Sequence, residues 1–139
     1  MAARMFQQFQ GTLEKGVVSL FANIPIGGTG AVGTLVASKN QGIKSVVRNS
    51  AGNYTISFGD SIQGSLDKYV RLLSFNSSVV LGSVSTVSAI QVWSDDAATG
   101  SITIQVVSPT AAGNTAPVVA DPDNGAVIIL CIKLKNASV

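Results

Sequence analysis

The stretch from Gly42 to Phe58, GIKSVVRNSAGNYTISF, constrains the fold more than any other part of the chain. Ile43 to Arg48 and Tyr54 to Phe58 are rich in β-branched and aromatic residues, which suit extended backbone. Between them, Asn49-Ser50-Ala51-Gly52-Asn53 supplies the residue types that tight turns need. In the second run Tyr54, Ile56 and Phe58 alternate with Thr55 and Ser57, so successive side chains fall on opposite faces of a sheet, one apolar and one hydroxyl-bearing. The pattern predicts a β-hairpin with one face in a core.

Similar signals recur on both sides of it. Leu13 to Ile26, LEKGVVSLFANIPI, reads as a first strand with its proline near the end, where a strand leaves a sheet or runs along its edge. Gly27 to Thr34, GGTGAVGT, is a glycine-rich loop, Thr34 to Ser38 a short second strand, and Lys39 to Gly42 a turn into the hairpin. Gly59 to Asp67 is polar and turn-like. Tyr69 to Phe75 reads as a strand, and Ser77 to Val92, interrupted by Gly82, as two short strands or one bulged strand. Asp95 to Gly100 is a turn, and Ser101 to Val107, SITIQVV, is a half-buried strand. Pro109 to Gly125 is a long loop, and Ala126 to Lys135 is a closing apolar strand with lysines at its outer end. About eight short strands, with turn signals roughly every ten residues, predict an all-β fold. We expect an antiparallel β-sandwich of jelly-roll-like packing over residues 13–139, preceded by an N-terminal arm over residues 1–12.

At 139 residues the chain fits one domain with its own core, and the exterior is its unusual part. Only 12% of residues are charged, about half the usual share, whereas 46% are hydrophobic. An exterior so poor in charge consists of hydroxyls and amides, or of apolar surface that a partner covers. The net charge is +2 and the Lys and Arg residues are scattered, so no basic stripe follows a phosphate backbone and nucleic acid is not expected as a partner. No apolar run approaches the roughly 20 residues of a membrane-spanning helix, and no membrane partner is expected either. MAARMFQQFQ does not read as a secretory signal, and a lone Cys131 fits assembly in a reducing compartment.

Residue types that carry catalysis elsewhere do not assemble here. The chain has no histidine, which excludes Ser-His-Asp and Cys-His pairs and imidazole metal sites. Asp95 and Asp96 are adjacent, so on a strand they face opposite sides, and Glu14 is the only glutamate. Cys131 lies within VIILCIKL and reads as a small buried hydrophobe. Gly28 to Gly33 matches G-x-G-x-x-G, but a strand signal follows where a nucleotide-binding loop needs a helix, so we read a plain loop. Asp121-Pro122-Asp123-Asn124-Gly125 looks like the start of a calcium loop, but Ala126 stands at the invariant glycine and Ile132 at the bidentate glutamate; we read a turn feeding the last strand. No enzyme activity, metal or cofactor is expected. Trp93 reads as a core or interface residue, with sugar stacking as the alternative.

The arm, LEKGVVSLFANIPI, the GIKSVVRNSAGNYTISF hairpin, DKYVRLLSF and the ADPDNGAVIILCIKLKNASV ending together resemble small virion proteins of tailed bacteriophages, of the head decoration or cement type. The resemblance spans nearly the whole chain and lies in the order of strands and turns, not in an invariant motif. It implies a non-enzymatic structural protein, a homotrimer of β-sandwiches made in the host cytoplasm. On the virion it would sit on the outer surface of the capsid and tie neighbouring subunits of the major capsid protein together. Such attachment gains its strength from many linked contacts. The contact residues it suggests are Arg4, Met5, Phe6 and Phe9 of the arm and Pro117 and Pro122 of the long loop. Phe6 and Phe9 would each gain on the order of 2 kcal/mol from burial in a partner's groove. Two alternatives share this composition: a trimeric tail-fibre, spike or appendage domain, and a monomeric glycan-binding module built around Trp93.

Overall fold

The computed structural model describes residues 17–58, 71–82, 88–108 and 117–135. Its strands are β1 (Val17–Pro25), β2 (Ile43–Ser50), β3 (Asn53–Phe58), β4 (Arg71–Val80), β5 (Ala89–Asp96), β6 (Ser101–Ser108), β7 (Val118–Val119) and β8 (Val127–Lys135). They form two sheets, one ordered β1-β8-β4 and the other β2-β3-β6-β5, with β7 paired to β6. Every pairing is antiparallel. The protein is an all-β sandwich of eight strands, as the strand and turn signals predict.

Alternation along the strands decides what lies between the sheets. In the first sheet Leu20, Ala22 and Ile24 of β1 and Ile128, Leu130, Ile132 and Leu134 of β8 point inward, and all are buried. In the second sheet Tyr54, Ile56 and Phe58 of β3 and Ile102, Ile104 and Val106 of β6 meet them. Each fully buried Leu or Ile contributes roughly 1.5–3 kcal/mol over its exposed state, so these two central strand pairs carry much of the stability. The hairpin expected over Gly42 to Phe58 is β2 and β3, turning at Ala51 and Gly52.

One expected strand does not form. Thr34 to Ser38 has no strand pairing and runs into a 3-10 turn, Ala37–Lys39. The segment clips the outer edge of β1 at points instead of pairing along it. Gly33 N–H donates to the Pro25 carbonyl (2.8 Å), and Phe21 and Gln41 exchange main-chain bonds of 3.1 and 2.8 Å. The Asn40 side chain accepts from Asn23 N–H (2.8 Å) and donates to the Asn23 carbonyl (3.2 Å). The long loop also holds more order than expected, since β7 lies within it.

Candidate functional site

Two features stand out from the packed core: a polar latch centred on Asp121 and an apolar stripe on the outer surface. The latch joins three segments far apart in sequence. β2 and β3 pair Arg48 with Tyr54, in register with the Val46–Ile56 pair, which brings a guanidinium to the exposed rim above the buried Tyr54. Asp121, just after β7, meets it there. Arg48 Nε donates to Asp121 Oδ1 (3.0 Å) and Nη2 to Oδ2 (2.6 Å), a two-pronged ion pair. Gly52 N–H donates to Asp121 Oδ1 at 2.8 Å. The Tyr54 hydroxyl, fully buried, has two acceptors in reach, Asp121 Oδ1 at 2.9 Å and the Gly30 carbonyl at 3.0 Å.

These contacts set the ionisation of all three groups. Burial works against the Asp121 carboxylate, but the bonds from Arg48, Gly52 and Tyr54 outweigh it and hold the acid below its ordinary range. Burial first, and then the Asp121 carboxylate, push the Tyr54 hydroxyl well above the usual phenol. The bond to Asp121 raises Arg48 further. An acid held ionised with its oxygens occupied, beside a phenol held neutral, fastens segments together and leaves no free base. Such networks perturb pKa values for structural reasons as well as catalytic ones.

The glycine-rich loop enters this latch through its backbone. Gly28–Gly30 forms a 3-10 turn, Ile26 and Val32 bridge across the loop, and only the short 3-10 turn Ala37–Lys39, not an α-helix, comes between it and β2. The Gly30 carbonyl faces Tyr54, so the loop serves the sandwich rather than a phosphate. Asp123 to Gly125 turns into β8, with Ala126 N–H donating to the Asp123 carbonyl at 3.0 Å. Among the described residues no group of three or more Cys, Asp or Glu side chains gathers to hold a metal.

The outer surface is the second feature. On the sheet β1-β8-β4, the register places Phe21 beside Cys131, Asn23 beside Ile129 and Ser78, and Pro25 beside Val127 and Val80. Phe21, Ile129 and Val80 are 46%, 40% and 51% exposed, so an apolar stripe crosses this face. The outer face of the other sheet carries amides and hydroxyls beside the exposed Val47. Gln91 Nε2 donates to Gln105 Oε1 (2.8 Å), Gln105 Nε2 donates to Asn53 Oδ1 (3.2 Å), and Thr55 and Thr103 hydroxyls meet at 3.2 Å. These polar groups satisfy one another along the sheet.

Of the contact residues that the resemblance suggests, Arg4, Met5, Phe6 and Phe9 lie outside the described residues. Pro117 is exposed immediately before β7, whereas Pro122 is buried beside the latch. Among the described residues of this loop, Pro117, Val118, Asn124 and Gly125 are exposed, Val118 at 48%. Trp93 is not a core residue. It is 67% exposed at a register shift in β5, between Val92 and Ser94, where an extra residue bulges from an edge strand. The sequence carries one signal for the latch: Arg48 stands on the same side of β2 as Val46, in register with Tyr54.

Neither family models, nor curated proteins, nor solved structures gave a match to this chain.

Proposed function

We propose that this protein is a non-enzymatic virion structural protein of the head decoration type, which binds the outer surface of an assembled capsid and ties major capsid protein subunits together. The observation that carries this reading is the apolar stripe Phe21–Ile129–Val80 on the outer face of the β1-β8-β4 sheet, where the charges of β8, Lys133 and Lys135, stand at one end. Contiguous exposed apolar surface of this kind marks a place where another protein sits. Rigidity suits the role as well. The latch locks the hairpin, the glycine-rich loop and the segment after β7 into one body, so little ordering entropy is lost when its face meets a shell.

Converting the stripe to a cationic face tests this directly. Phe21 and Ile129 are exposed and point away from the core, so Phe21→Lys together with Ile129→Lys is expected to leave the melting temperature within a few degrees. Binding to capsids that lack the protein, measured as bound copies per particle, is expected to fall at least about tenfold, which corresponds to about 1.4 kcal/mol in affinity. Unchanged occupancy by the folded double variant would overturn the assignment of this face.

A further inference from the structure

Among the described residues, β1, β4, β2 and β5 end the two sheets, besides the two-residue β7 that pairs with β6 alone, and three of those four long edges are guarded. β1 is clipped by Gln41 and Asn40. β2 shifts register at both ends, between Ile43 and Ser45 and between Arg48 and Ser50. β5 bulges at Trp93 and carries Asp95 and Asp96 at its end. Bulges, charges and covering segments are the ordinary means by which sheet edges are kept from pairing with another chain. β4 differs. Asp95 Oδ2 accepts from Leu72 N–H (3.3 Å), but from Ser74 to Val80 the strand has no charge, no proline and no register shift.

The direction of its free main-chain groups follows from its neighbours. Phe21 and Asn23 of β1 spend their N–H and C=O groups away from β8, so alternation turns the even-numbered residues of β1 toward β8. Carried across the register, the same alternation turns Ser74, Asn76, Ser78 and Val80 of β4 toward β8 and Phe75, Ser77 and Val79 outward. Among the described residues nothing bonds those three outward pairs of groups. Asn76, Ser77 and Ser78 are exposed.

We infer that the open edge of β4 pairs with β4 of a second copy, antiparallel about a two-fold axis at Ser77. In that register Ser77 faces its own counterpart and Phe75 faces the partner copy's Val79, which places the three outward-bonding positions opposite one another. About six main-chain hydrogen bonds result, over a length of about 17 Å. Asn76 then faces the partner copy's Ser78, and apolar, amide and hydroxyl side chains meet with no like charges opposed. Because a two-fold contact is self-complementary, one uncharged edge suffices. The two three-stranded sheets become one of six strands, with their apolar stripes on a common face. This pairing rests on edge geometry alone and gives a dimer, where the sequence resemblance implies a trimer.

Asn76→Lys with Ser78→Lys opposes lysines twice across the axis. In the full-length chain, sedimentation is expected to show a concentration-dependent dimer that this variant reduces to monomer. Mixing it with the Asn76→Glu, Ser78→Glu chain is expected to restore a dimer containing one copy of each. Hydrogen exchange reads the same contact in the wild-type chain. The amides of Phe75, Ser77 and Val79 are expected to lose protection on dilution, while those of Asn76 and Ser78 keep theirs against β8. A wild-type monomer with those three amides fast at about 100 μM would overturn the inference, as would an oligomer that the lysine pair leaves intact. The Phe21 and Ile129 variant is expected to remain a dimer, so failure of this pairing and failure of the shell-binding reading are read separately.

Discussion

Asp121→Ala is expected to be among the most destabilising single substitutions outside the core, lowering the melting temperature by about 10 °C. The carboxylate accepts from Arg48, Gly52 and Tyr54, and its loss leaves the Gly52 N–H buried without a partner. An unsatisfied buried donor costs about 1–3 kcal/mol, and hydrogen bonds to a charged group contribute about 1.5–3 kcal/mol each. Part of this is recovered, because the Tyr54 hydroxyl still has the Gly30 carbonyl and Arg48 turns to water. We expect a net loss of about 3 kcal/mol, with about 3–4 °C of melting temperature per kcal/mol in a domain of this size. Tyr54→Phe, which removes only the hydroxyl, is expected to cost about 1 kcal/mol.

The latch also gives a pH signature. The folded state holds the Asp121 acid below its unfolded value, so the stability it contributes is in place above about pH 4 and is lost as the pH falls through the folded value. Thermal melts between pH 7 and pH 3 are expected to show a smaller acid-induced drop for Asp121→Ala than for the wild-type chain. Equal drops in the two proteins would remove Asp121 from the account of acid stability.

Gly52→Ala is expected to cost about as much by a different route. Gly52 has φ +73°, in the left-handed region, and its N–H is the one that Asp121 holds. A β-carbon there would lie 2.7 Å from Val119 Cγ1, 2.8 Å from Ala120 N and 2.9 Å from the Val106 carbonyl. The last two are backbone atoms that cannot rotate aside. Left-handed strain costs about 1–2 kcal/mol and overpacking about 1–3 kcal/mol, for a total near 3 kcal/mol. Gly100 provides the comparison, with φ +94° and nothing within 4 Å of an added β-carbon. Gly100→Ala is expected to carry only the strain, and equal urea midpoints for the two variants would show that the crowding at Gly52 is unimportant.

How much of this is legible in the sequence depends on the range of the interactions involved. The hairpin, β6 and β8 can be read because their alternation and turn residues are local, and each buries one complete face. Thr34 to Ser38 misleads because its apolar residues suit a strand, while the adjoining segment is committed to clipping β1 through Gly33, Asn40 and Gln41. The latch is hidden for another reason. Asp121 lies 67 to 73 residues from Tyr54, Gly52 and Arg48, and its local setting, Asp-Pro-Asp-Asn-Gly, suggests a turn or a cation loop instead. Only the register of Arg48, which stands on the same side of β2 as Val46, points to an acidic partner. The open edge of β4 emerges by comparison, since it is recognised only once the guards on β1, β2 and β5 are seen.

If the sandwich covers an assembled shell, as proposed, antibody labelling of the protein on purified particles, viewed by electron microscopy, is expected to show label distributed over the icosahedral head. Label confined to the tail, or particles without label, would contradict it.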